Sequence, residues 1–109
     1  MNLKDRPKSP LTPFAGQAAN AIAIEWFPMT PEQIIGPDRH RWMSEARAAF
    51  CLILHNNRIP SEHIAGFTGR SISAVNYSIR AARSLVATDT DYRDRIEVVL
   101  HKLSALRPT

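Results

Sequence analysis

One cysteine, Cys51, stands alone in an apolar stretch of the 109-residue chain, so neither a disulfide framework nor a cysteine-based zinc site can be built from it. A reducing, intracellular compartment is the expectation that follows. No run approaches the ~18 apolar residues that a membrane span needs, and Met1 to Pro13 lacks the apolar centre of a secretory signal. A cytoplasmic protein without membrane contact is expected. Period-two alternation is absent throughout, which leaves no strand to predict. The four histidines, His40, His55, His63 and His101, have no metal-ligand spacing. There is no nucleophile elbow and no glycine loop of the kind that cradles phosphate. Neither an enzyme, a cofactor nor a metal is expected.

What the sequence does have is helical periodicity and clustered positive charge. The prolines of residues 1–13 (Pro7, Pro10, Pro13) and its charges Lys4, Arg6 and Lys8 predict a disordered basic arm. Residues 14–109 predict one all-α domain, a small helical bundle. A first helix runs from Phe14 to about Trp26, where Pro28 stops it. Thr30-Pro31-Glu32-Gln33 is a capping box with proline at the first helical position, and Gly36-Pro37 ends that short helix. A third helix is expected from near Asp38 to about His55, with Trp42, Ala46, Ala49, Phe50 and Ile53 on one face. The aromatic residues Trp26, Phe27, Trp42, Phe50 and Phe67 are read as core. Ser61 is expected to cap a brief helix through Phe67, and Ser71 a longer one carrying Val75, Ile79 and Leu85. The last helix opens at Thr90 with Ile96, Val99, Leu100 and Leu103 inward.

Seven arginines fall between residues 39 and 83, Arg39, Arg41, Arg47, Arg58, Arg70, Arg80 and Arg83, against only Glu45 and Glu62. Within that stretch, SEHIAGFTGRSISAVNYSIR (residues 61–80) matches a helix-turn-helix. Ala65 is small where two helices would cross, Gly69 suits a positive φ, and Ile64, Phe67, Val75 and Ile79 would pack the crossing. Such a geometry presents Ser71, Ile72, Ser73, Ala74, Asn76 and Tyr77 to base edges in the major groove. Arg39, Arg41, Arg47, Arg70, Arg80 and Arg83 are the candidates for phosphate or minor-groove contacts. Double-stranded DNA is the expected partner, with a protein-interaction adaptor as the alternative reading, and a selected site remains to be learnt from binding rather than from sequence.

Three segments in order resemble a known family, the C-terminal DNA-binding domain (domain IV) of the bacterial replication initiator DnaA, over about residues 17–104. AIAIEWFPMTPEQIIGPDRHRWMSEARAAFCLIL is similar to that domain's opening, FTGRSISAV stands where the family has F-G-G-R-D-H-S/T-T-V, and TDTDYRDRIEVVLHKL resembles its closing turn and last helix. The resemblance implies duplex binding, with the helix after Gly69-Arg70 in the major groove and Arg47 in the adjacent minor groove. It implies a role in controlling replication initiation or transcription, at the nucleoid and in reach of replication initiation proteins. The departures bear on specificity: Ser71-Ile72 replace the family's Asp-His pair, and Glu45 stands where an arginine is expected. Nothing resembles the initiator's ATPase domain.

Overall fold

The computed structural model describes residues 8–37 and 40–106, and within them the chain forms helices with no strand. They are α1 (Pro13–Glu25), α2 (Pro31–Ile34), α3 (Arg41–Asn56), α4 (Ser61–Thr68), α5 (Ile72–Thr88) and α6 (Thr90–Leu106). None of these is long and apolar enough to cross a membrane.

The helix boundaries have local causes. Thr12 accepts a hydrogen bond from the Ala15 amide and so caps α1, whose first residue, Pro13, has no amide hydrogen to leave unpaired. At α2 the capping box is complete: the Gln33 amide donates to Thr30 Oγ1 at 3.2 Å, and the Thr30 amide donates to Gln33 Oε1 at 2.8 Å. Gly36 is buried behind α2, where an added Cβ would stand 2.9 Å from the Glu32 carbonyl oxygen. Asn57 and Arg58 close α3. Asn57 Nδ2 donates to the Ile53 carbonyl, and Arg58 takes the left-handed conformation at φ 64° that glycine more often supplies. Ser61 differs from expectation. It is the first residue of α4 rather than its cap, Pro60 takes the cap position, and the serine hydroxyl is spent elsewhere.

Helix α3 is the axis of the bundle. Every residue from Ala46 to Leu54 is buried, so the helix is covered all round for more than two turns. It packs against α1, α2, α4 and α5, while α6 closes the bundle by packing on α1 and α5. Alanines at positions 15, 18, 19, 21 and 23 let α1 approach closely. Phe50, Ile53, Leu54, Ile22, Ile34, Ile64 and Val75 fill the centre, each contributing on the order of 1.5–3 kcal/mol by burial.

Two aromatic expectations are corrected. Trp26, Phe50 and Phe67 are core, but Phe27 is 80% exposed because it follows the last turn of α1 and points away from the bundle. Trp42 is partly exposed. Its indole Nε1 donates to the Trp26 carbonyl, and the Arg95 guanidinium covers its ring at 4.7 Å, so it serves as a lid on Trp26 rather than as filling. Leu100 also faces outward, whereas Tyr92 takes an inner place on α6, edge-on to Trp26 with its hydroxyl donating to the Glu45 carbonyl.

The first half of the expected arm, residues 1–7 with Lys4 and Arg6, lies outside the described residues. From Lys8 onward the chain is held: the Ser9 amide donates to the Gly66 carbonyl at 2.8 Å, Lys8 Nζ to the Ile35 carbonyl at 3.0 Å, and Leu11 packs on the core.

Candidate nucleic-acid interface

Helices α4 and α5 are joined by a turn built on two residues. Gly69 adopts φ 65° and ends α4, and Ser71 Oγ accepts from the Ala74 amide at 3.0 Å to start α5. The expected crossing residues Ile64, Ala65, Phe67, Val75 and Ile79 are all buried between this pair and α3. Burying 75, 79 and 82 turns the opposite stripe of α5 outward. Ile72, Ser73, Tyr77, Arg80, Arg83 and Ser84 are exposed along it. Helix α5 contains no acidic residue, and neither Arg80 nor Arg83 pairs with a carboxylate among the described residues.

The six expected base readers separate into two sets. Ile72, Ser73 and Tyr77 project into solvent, with Ile72 46% and Tyr77 68% exposed. The others are half-buried. Ser71 is occupied as the cap, Asn76 Oδ1 accepts from Ser61 Oγ at 2.9 Å, and Ala74 is turned towards α3. The Ser61–Asn76 bond ties the first turn of α4 to the second turn of α5.

The arginines separate as well. Arg39 lies outside the described residues. Arg41 is well exposed and its Nε bonds Glu45 Oε1 one turn on. Arg47 requires a correction: it is 2% exposed, and its guanidinium donates to the backbone carbonyls of Ile34 at 2.8 Å and Gln33 at 3.2 Å. It is a buried fastener between α3 and the end of α2, not a side chain free to enter a groove. Arg70 is half-buried and donates to the Gly36 carbonyl at 3.2 Å. Together with Lys8 on Ile35, these side chains take up the four consecutive carbonyls from Gln33 to Gly36. A helix end leaves such carbonyls without partners, and a basic collar supplies them here.

Two arginines of the collar, Arg47 and Arg70, act electrostatically on Cys51, which is completely buried. Burial pushes its thiol up to about 12, against a smaller opposing pull from the positive charges of Arg47 and then Arg70. No group of histidine, cysteine and carboxylate side chains that could hold a metal ion occurs among the described residues.

Sequence reasoning missed the collar, and a signal for it was present. Arg47 sits within Ala46-Arg47-Ala48-Ala49-Phe50-Cys51-Leu52-Ile53-Leu54, where a helix apolar on every side has no solvent face to offer a charge. The family models, the characterised proteins and the solved structures compared with this chain contain no match to it.

Proposed function

We propose that this protein binds double-stranded DNA sequence-specifically, with α4 and α5 acting as a helix-turn-helix and the outer stripe of α5 in the major groove, in control of replication initiation or transcription. The observation that carries the reading is that stripe: Ile72, Ser73 and Tyr77 at the capped, electropositive start of a helix, followed by Arg80 and Arg83, with no carboxylate on the helix. A helix about 10–12 Å across fits a major groove about 12 Å wide. Arg80 and Arg83 then meet phosphates, and Ile72 offers an apolar contact to a thymine methyl. The resemblance of FTGRSISAV and its flanking segments to the DNA-binding domain of the initiator DnaA supports the same assignment.

Selection of random duplexes by the full chain, followed by titration of the enriched site at several salt concentrations, tests it. Enrichment of an A·T-leaning site distinct from the initiator's box, with affinity falling steeply as salt rises, is the expected result. No enrichment and no binding at low salt would overturn it. The alternative is an adaptor that contacts the replication initiation machinery through the same stripe, and the exposure of Ile72 and Tyr77 together favours it, since such side chains anchor protein interfaces too. In that case DNA selection fails.

A further inference from the structure

Asn76 stands one turn beyond Ile72 and Ser73 and one turn before Arg80, on the flank of the exposed stripe of α5 that borders α4. Its side chain is half-buried, and Ser61 Oγ in the first turn of α4 donates to its Oδ1 at 2.9 Å. Helix α4 does not need that hydroxyl as a cap, because Pro60 takes the cap position. The amide of asparagine is planar, with an acceptor at one end and a donor at the other, so turning Oδ1 to α4 turns Nδ2 away from it. Nδ2 donates to no partner among the described residues and is not sealed in the interior. It opens outward, beside the exposed Ile72, Ser73 and Arg80.

We propose that Ser61 is a positioning residue that sets base preference: it holds the Asn76 amide with its nitrogen towards the major groove, so that Asn76 reads guanine rather than adenine. This rests on the assignment of α5 to that groove. An asparagine that recognises adenine uses both ends of its amide, Nδ2 donating to N7 while Oδ1 accepts from the N6 amino group. With Oδ1 turned to Ser61, only the donor end faces the base. Guanine offers two acceptors side by side, N7 and O6. Adenine places an amino donor beside its N7, thymine offers O4 alone, and cytosine offers only its N4 amino donor. Guanine is therefore favoured and cytosine excluded, at one base pair inside an otherwise A·T-leaning site. The deciding hydroxyl lies fifteen positions away, outside the helix that enters the groove.

Selection of random duplexes by the full chain and by its Asn76→Ala, Ser61→Ala and Ser61→Thr variants is the test. Asn76→Ala should lose preference at a single base pair, which locates the contact, and the unsubstituted chain should favour guanine over adenine there by about tenfold. Ser61→Ala frees Oδ1 and should move that ratio towards adenine without altering the other positions. Ser61→Thr keeps the hydroxyl and should keep guanine. A loss of stability alone weakens every sequence alike and exchanges no base. Asn76→Asp, which retains the acceptor for Ser61 but presents an acceptor in place of Nδ2, should turn the preference to cytosine, and it serves as the second variant if Ser61→Ala does not fold. Adenine preferred by the unsubstituted chain at that pair, no position altered by Asn76→Ala, guanine retained by Asn76→Asp, or an identical selected sequence from folded Ser61→Ala would overturn the proposal while leaving α5 in the groove. Enrichment of no duplex by the unsubstituted chain would overturn it together with the DNA-binding reading.

Discussion

Arg47 of α3 donates through its guanidinium to the Ile34 carbonyl at 2.8 Å, so a charge from the middle of the most buried helix holds the end of the shortest one. Removing it takes the buried donor from the Ile34 carbonyl and loosens the seam between α2 and α3. Arg47→Ala should cost about 2–4 kcal/mol in a urea unfolding experiment. The folded variant should keep its affinity for duplex. Unchanged stability with weakened DNA binding is the opposite pattern, that of a surface arginine in a groove.

Arg80 and Arg83 should behave in the contrary way. Each is exposed on α5, so replacement by alanine should move stability by no more than about 0.5 kcal/mol. In a salt titration of duplex binding, each loss of a phosphate contact should flatten the slope by ~0.9, equally on every sequence. A changed site preference would mean that these side chains read bases.

Specificity should reside at the start of α5. Aspartate can replace Ser71 as the helix cap, and Ile72 is half in solvent, so Ser71→Asp with Ile72→His should leave the fold intact. Preference for thymine under Ile72 should fall, by ~1–3 kcal/mol of discrimination, and the selected sequence should move towards the box of the initiator family. Repeating the duplex selection with the double variant measures this. An unchanged selected site would place base reading elsewhere.

Alkaline pH should destabilise the protein through Cys51. Its thiol is held at about 12 in the folded state against 9.0 in the open chain, chiefly by burial. The stabilising preference for the neutral thiol is therefore complete below about pH 9 and is lost as pH climbs from there towards 12. Tyr92 is raised in the same direction, by burial first and then by Glu45, and adds to the loss above its ordinary range. Urea midpoints should fall between about pH 8 and about pH 10.5, and a thiol reagent at neutral pH should label native protein only at the rate of opening. Rapid labelling of the folded chain would contradict the burial of Cys51.

Local signals reported the elements well. The capping box at Thr30, the turn at Gly69 and the cap at Ser71 are short-range devices in which neighbouring residues satisfy each other, and all three form as the spacing implies. The periodic positions of α5 likewise put Val75 and Ile79 inside. The errors came where a residue answers to something distant in the chain. Ser61 turns from capping its own helix to Asn76, fifteen positions away, and Trp42 gives up full burial to seal Trp26.

By itself, then, the sequence determined that the chain is helical, where α1, α2 and α5 start, and which stripe of α5 is apolar, because periodicity, proline, glycine and hydroxyl caps act within a turn or two of themselves. Only the tertiary structure decided which arginines face solvent. Their chemistry is identical in sequence, yet Arg80 and Arg83 meet water while Arg47 and Arg70 meet the carbonyls of residues 33–36, since the open end of α2 was brought against them by the packing of α3 and the turn before α5.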